Sequence, residues 1–333
     1  MSQEAGATQS GRSGPFFIVG APRSGTTLLQ YMLRSHPRLS VPTGESHFFI
    51  PLYRSAATYG DLSRIENVRA VLDAMYRQSA DFLDTDLHGV RFDADRLARE
   101  LHAEGRHTVR DVVAGLFEKN AAGEGKARWG DKTPYYVLHI PKLLEWFPDA
   151  QVIHIIRDGR DVALSLFARR HDFGVYNTYF AAKYWQQYVE VGREHGGKLS
   201  PSQYLEVRYE DIVGEPQGSL RRVCEFLGEA FTESVVDFKR SGEMGKTPLL
   251  RKPVQADNVG KWRRALSPLQ TRLFEAAGGT TLERLGYPMA THSRPLPRPM
   301  RAVFWFHNRA VRQLYRWSRT INARRRSAGP QPS

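Results

Sequence analysis

The chain has 333 residues with a formal net charge of +13, 41% hydrophobic residues and a lone cysteine, Cys224. That length supports one large α/β domain with a sizeable core, alone or with appendages, and one cysteine excludes an intrachain disulfide framework and fits a reducing compartment. The charge is concentrated: ten arginines and no acidic residue lie between Arg294 and Arg326, so the rest carries about +3 and has neither the charge balance nor the motifs of a nucleic-acid binder.

Met1 to Gly14 is polar and small, without the apolar centre of a signal peptide, and is expected as a disordered leader (residues 1–14). Phe16-Phe-Ile-Val19 is a short apolar run before a glycine, the pattern of a buried parallel strand. Ser24 to Ser35 reads as a helix stopped at His36-Pro37, and Leu39-Ser-Val41 as a short strand leading to Pro42-Thr-Gly-Glu45. Residues 62–121 are helical in pattern, at Val68–Tyr76, Ala94–His102 and Val109–Phe117, and form an insertion. Trp129-Gly-Asp-Lys-Thr133 reads as loop or strand end, and Pro134 to Phe147 as one helix. Gln151-Val-Ile-His-Ile-Ile156 is a second buried strand, followed by helices over Asp158–Arg169 and Tyr176–Glu194. Gln203-Tyr-Leu-Glu-Val207 is a third strand, and Pro216–Leu227 a helix whose Cys224 is read as a buried structural thiol. Residues 240–264 mix Gly, Pro, Lys and Arg irregularly and read as a long functional loop. Leu269–Leu285 is helical, and Met300–Arg326 is an amphipathic helix.

Strands alternating with helices predict a mainly parallel sheet in a three-layer α/β/α arrangement. One domain is expected over residues 15–290 and a basic tail over 291–333. No stretch approaches the roughly 20 apolar residues of a membrane span. In the tail helix Met300, Val303, Phe304, Val311, Leu314 and Tyr315 share a face, with arginines largely outside it. Such a helix either packs on its own domain or lies on an anionic membrane surface. The expected location is cytoplasmic, with peripheral contact at the inner membrane face as the further reading.

Gly20-Ala-Pro-Arg-Ser-Gly-Thr-Thr27 joins the first strand to the first helix in the G-x-x-x-x-G frame of a phosphate loop. The lysine of a nucleotide triphosphatase is missing, and Arg23 supplies the positive charge instead. Backbone amides at the helix start, the hydroxyls of Ser24, Thr26 and Thr27, and the Arg23 fork suit one tetrahedral anion. The strand ending at Ile156 leads into Arg157, where a magnesium-dependent site would place an acidic residue. So no metal is expected. Arg157-Asp-Gly-Arg-Asp-Val-Ala-Leu-Ser165 then suggests a second anion site from Arg157, Ser165 and Arg169, with surface ion pairing as the plainer reading. Two such sites imply a nucleotide phosphorylated at two places.

These residues resemble the sulfotransferases that use 3′-phosphoadenosine 5′-phosphosulfate (PAPS), above all bacterial members and the tyrosylprotein enzymes, over about residues 15–287. Pro22-Arg-Ser-Gly-Thr-Thr-Leu28 is similar to the family's 5′-phosphosulfate loop, which includes Gly25, and Arg157-Asp-Gly-Arg160 with Ser165 and Arg169 to its 3′-phosphate motif. Tyr209-Glu-Asp211 resembles the segment whose tyrosine lies against adenine, and Lys252-Pro-Val254 with Gly260-Lys-Trp262 the loop that covers the cofactor, so Lys252, Lys261 and Trp262 join the cofactor site. The resemblance implies PAPS as co-substrate and PAP as product. It implies Glu45 as catalytic base, Lys132 as the cation at the leaving group, and Thr247 in place of a transition-state serine. His47 is the rival base, and Asp131 is expected to orient its neighbours. Tyr176, Tyr179, Phe180, Tyr184 and Trp185 either line an acceptor cleft or form core. The acceptor is a small molecule, glycan, lipid or peptide with a hydroxyl or amine. A P-loop kinase and a non-catalytic, membrane-associated nucleotide-binding protein are the alternatives.

Overall fold

A computed structural model describes residues 14–78, 90, 92–238 and 258–327. The expected leader up to residue 13, Thr247, Lys252 and residues 240–257 of the predicted loop lie outside them. The chain divides into two compact units, residues 1–156 with 191–256, and residues 157–190 with 257–333.

The first unit contains a parallel sheet of β1 (Phe16–Gly20), β2 (Leu39–Ser40), β3 (Arg128–Lys132), β4 (Gln151–Ile156) and β5 (Tyr204–Arg208), in the order β2-β3-β1-β4-β5. β1 lies at the centre, with Phe16 opposite Gly130 and Ile18 opposite Lys132 on one side, and Gly20 opposite Ile155 on the other. Its side chains alternate between two apolar layers. Phe16 and Ile18 join Leu29, Met32 and Leu33 of α1 (Thr26–Arg34), Ile212 of α10 (Tyr209–Gly214), and Leu220 and Leu227 of α11 (Pro216–Leu227). Phe17 meets Phe49 of α2 (Phe49–Ser55), Trp129 and Phe147, while Trp129 stacks on Phe117 at 4.7 Å. Each buried side chain of this size contributes about 1.5–3 kcal/mol. With both faces covered by helices, this is a P-loop-like α/β fold.

The predicted insertion forms three helices, α3 (Ile65–Gln78), α4 (Ala94–Ala103) and α5 (Val109–Gly123). Asp93 and Thr108 cap α4 and α5 by accepting from the amides of Arg96 and Asp111. Two readings differ from the structure. The segment taken as loop or strand end, 129–133, is largely the buried strand β3. Its charge is no obstacle because Arg128 donates to Gly14 O, Leu227 O and Gln151 Oε1, and Gly130 leaves room for the Phe16 ring. The single helix expected over 134–147 is a 3₁₀ turn, Pro134–His139, followed by α6, Ile140–Trp146. Pro141 has no amide hydrogen to continue the ladder across that junction. Cys224 is buried, and burial pushes its thiol up to about 11.

The second unit holds α7 (Gly159–Ala168), α8 (Arg170–Phe173), the first part of α9 (Thr178–Gly196), α12 (Trp262–Ala265), α13 (Pro268–Arg284) and α14 (Arg298–Ser327). Trp185 is fully buried against Phe274. α14 extends the predicted tail helix slightly and docks by one face: Phe304 stacks on Tyr179, Tyr315 on His171, and Asn308 accepts from Tyr176 N and donates to Gly174 O. The expected apolar face is therefore divided, since Met300, Val303 and Leu314 are exposed, with Phe306, Trp317 and Ile321 beside them. No described helix is long and apolar enough to cross a membrane.

The Phe16–Gly130 contact gives a sharp stability test. A methyl at Gly130 would lie 2.5 Å from the Phe16 ring, and such overpacking costs about 1–3 kcal/mol. Gly130→Ala is expected to lower the unfolding free energy by that amount, read as a lower urea midpoint, whereas Gly123→Ala, whose methyl meets nothing within 4 Å, should leave the midpoint unchanged or raise it.

Candidate functional site

The C-terminal edge of the sheet in the first unit carries most of the predicted chemistry. After β1 the chain turns through Ala21 to Gly25 into α1, and Ser24 N donates to Ala21 O at 3.1 Å. Gly25 has φ 98, a conformation open to glycine, and no side chain caps the helix there. The Tyr209 ring lies where a Gly25 side chain would be, with its Cδ2 2.3 Å from an ideal Cβ. Arg23 is also left-handed, at φ 74. Ser24 is fully buried and its hydroxyl has no hydrogen-bond partner among the described residues. Thr26 is buried and Thr27 half-buried at the first turn of α1. A helix N-terminus with an unmatched buried hydroxyl is a donor-rich receptor for an anion.

Glu45 and His47, on the loop after β2, meet Lys132 at the end of β3. Lys132, only 3% exposed, donates from Nζ to Glu45 Oε1 at 2.7 Å, and His47 Nε2 lies 3.1 Å from Glu45 Oε2. Each carboxylate oxygen therefore has its own partner. Burial alone would raise the Glu45 carboxyl, but the Lys132 ammonium and the His47 contact outweigh it and hold the group at about 2. His47 sits at φ 50. Arg23 and His47 are the two non-glycine residues with positive φ among those described, and such strain gathers at functional sites. His47, the rival base, is thus placed to orient Glu45.

Next to this trio Asp131 lies in a polar network whose other members, Ser46, Thr133 and Tyr136, the sequence does not single out. Ser46 N donates to Thr133 Oγ1, the Ser46 hydroxyl contacts Tyr136 OH at 2.8 Å, and Phe49 N donates to Tyr136 OH. The Asp131 carboxyl is buried beside the Ser46 and Thr133 hydroxyls, and burial pushes it up to about 6. Scattered Ser, Thr and Tyr leave no pattern in sequence, and only β3 pairing brings residues 46 and 133 together.

In the second unit Arg157 donates from Nη2 to Asn258 O at 2.6 Å, while its own carbonyl accepts from Trp185 Nε1. Ser165 is half-buried on α7. Arg169 was expected on the same helix face, but α7 ends at Ala168 and Arg169 turns to pair with Asp172 at 2.6 Å. Lys261 is exposed. Trp262 is buried with the Arg160 guanidinium 3.7 Å from its ring centroid. Of the five aromatics offered as cleft lining, Trp185 is core and Tyr179 lies under α14.

The pairing of Lys132 with Glu45 has a titration signature. Glu45 sits below its ordinary 4.5, so the pair stabilises the fold above about pH 4.5, and this contribution is lost as pH falls towards about 2. In Lys132→Met the ammonium that lowers Glu45 is gone while burial remains, and the Glu45 midpoint is expected to move up from about 2. Carboxyl ¹³C NMR of glutamate-labelled protein reads this directly, and an unmoved midpoint would show that Lys132 does not hold Glu45.

Comparison with known proteins gives the family and the fold. A model of the family described as "Sulfotransferase family" matches residues 15–233. Protein-tyrosine sulfotransferase A of Caenorhabditis elegans is 25% identical over 75% of this chain and 62% of its own length. Omega-hydroxy-beta-dihydromenaquinone-9 sulfotransferase Stf3 of Mycobacterium bovis is 30% identical over 64% of this chain and 62% of its own. The chain thus spans a little under two thirds of these curated relatives, and 30% of the length of an Aquifex aeolicus relative. Among solved structures, the sulfotransferase domain from the curacin biosynthetic pathway superposes with a TM-score of 0.59 at 22% identity, covering 84% of this chain and all of that one.

Proposed function

The chain belongs to the sulfotransferase family, and we propose that it moves a sulfuryl group from PAPS to a hydroxyl or amine of an acceptor, releasing PAP. The observation that carries this reading is the pairing of the buried Lys132 with the partly open Glu45, on the strand and loop beside an anion-receptive glycine turn. In the proposed reaction Arg23, Ser24, Gly25, Thr26 and Thr27 hold the 5′-phosphosulfate, and Tyr209, packed on Gly25, supports the adenine. Arg157, Ser165 and Lys261 answer the 3′-phosphate, and Arg169 joins them only by leaving its exposed pair with Asp172. Lys132 meets the charge that develops on the bridging oxygen as the sulfur–oxygen bond breaks, and Glu45 takes the acceptor's proton. A carboxylate held near 2 is a weak base. In the proposed reaction Lys132 turns from Glu45 towards the donor, which removes its lowering influence on the carboxylate. Thr247 and Lys252 retain the roles that the family resemblance implies. The reading requires no metal, because a phosphosulfate has no γ-phosphate to bridge.

Glu45→Gln keeps shape and removes the proton acceptor. It is expected to bind PAP with unchanged affinity and to lose about 10²–10⁴ in turnover, measured with radiolabelled PAPS and a lysate of acceptors. Near-normal turnover in Glu45→Gln, with a collapse in His47→Ala, would transfer the base to His47.

Relatives named for protein tyrosine and for a hydroxylated dihydromenaquinone support an acceptor among peptides and lipids, with glycans and other small molecules as further classes. A peripheral position on an anionic membrane surface is supported by α14. Val303, Phe306, Leu314 and Trp317 are 61–64% exposed on a helix with nine arginines and no acid, and each basic residue near such a surface adds about 1 kcal/mol. The full chain is expected to float with anionic liposomes at low salt and to sediment at high salt. Phe306→Ser with Trp317→Ser, both exposed and so without cost to the fold, should abolish flotation. Equal flotation of the double variant would discard the membrane reading.

A further inference from the structure

The Arg157–Asp161 stretch does two things in the second unit, and only one of them concerns an anion. Asp158 caps α7 by accepting from Arg160 N, and its carboxylate grips the Arg160 guanidinium at 2.8 and 3.0 Å. Arg160 is fully buried, reaches Glu275 at 2.6 Å and Pro288 O at 3.0 Å, and its guanidinium carbon lies 3.7 Å from the Trp262 ring centroid. Asp161 uses neither partner. Its Oδ2 accepts from Gly260 N and its Oδ1 from Trp262 N, both at 2.8 Å. Gly260 is left-handed at φ 68, which bends the backbone back so that both amides reach one carboxylate. The residue between them is Lys261, which is exposed. Two residues earlier than Gly260, Asn258 O accepts from Arg157.

An acidic side chain inside a cationic stretch weakens anion binding unless its charge is turned away and used. Here both oxygens are committed to main-chain amides, and Asp161 is 2% exposed. We propose that Asp161 is a positioning residue that fastens the Gly260–Trp262 turn to α7 and so fixes Lys261 and Arg157 as a matched pair of cations for the 3′-phosphate. The carboxylate touches no ligand. It acts by removing the freedom of the backbone on either side of Lys261, so that the ammonium is placed before the nucleotide arrives. This rests on the 3′-phosphate reading of Arg157 and Lys261 given above.

Asp161→Asn keeps the size and can accept only one of the two amides, while its own NH₂ opposes the other. Losing a charge-assisted pair of this kind is expected to weaken PAP binding about 10- to 100-fold and to leave AMP, which lacks the 3′-phosphate, within about twofold by calorimetry. Amide exchange of the 258–265 segment should rise in the unliganded variant. Lys261→Ala supplies the contrast: it should weaken PAP selectively without speeding that exchange. Unchanged exchange in Asp161→Asn, or a parallel loss for PAP and AMP, overturns the proposal. If the wild-type chain binds PAP and AMP equally, the 3′-phosphate reading falls instead, and the role of Asp161 as a positioning residue falls with it, even where exchange shows the fastening to be real.

Discussion

The Phe16 ring resting on Gly130 sets the spacing and register of β1 against β3. β1 is the strand on which the sheet is built, and any side chain at 130 would push its neighbour away. With that contact made, Ile18 lies opposite Lys132, and both strands end at the same edge. The glycine turn after β1 and the cation at the end of β3 are then held by backbone pairing, with no reliance on flexible loops. The Tyr209 ring on Gly25 repeats the device at the end of β5. In both places an aromatic ring occupies the volume a side chain would take, and the site gains rigidity from packing.

Charge is buried in this protein in several ways. Arg128 is spread over backbone carbonyls and Gln151, so no acid is needed. Arg160 and Glu275 are an ion pair with neither side chain exposed, and Glu275 also accepts from Ala290 N, Thr291 N and the Thr291 hydroxyl. Such a pair is costly to break from one side, because the survivor would be buried alone. Lys132 differs. Its partner Glu45 keeps 38% of its side chain open, so a competing anion can reach the pair. A fully saturated buried pair would hold Lys132 too firmly for chemistry, and a fully exposed one would leave its direction unset.

The strands at 16–20 and 151–156 were legible because largely apolar runs between turn residues have few other readings, and the one at 204–208 because Leu205 and Val207 alternate with half-buried polar neighbours. The helices at 109–123 and 216–227 were legible from period and from the residues that start them. β3 was not, since Arg128, Gly130, Asp131 and Lys132 are poor strand formers whose burial depends on partners 23 to 114 residues away. Of the site, the glycine turn, Glu45 and Lys132 were visible as residues, and what the sequence could not supply was their pairing. Arg169 shows the opposite limit: a same-face argument assumes the helix continues, and α7 stops one residue short. Asp161 reads in the sequence only as one of several surface ion-pairing groups, because a carboxylate that binds main-chain amides leaves no trace in the identity of the residues it holds.

The buried Cys224 has a practical corollary. Alkylating reagents attack the thiolate, and a thiol held near 11 inside a helix interface has almost none at neutral pH. Because the chain has no other cysteine, a single cysteine introduced at an exposed position such as Val303 would react alone, without first stripping the native thiol. The same burial that fits Cys224 to the core thus leaves the surface chemically blank, ready for spectroscopic probes placed one at a time along α14.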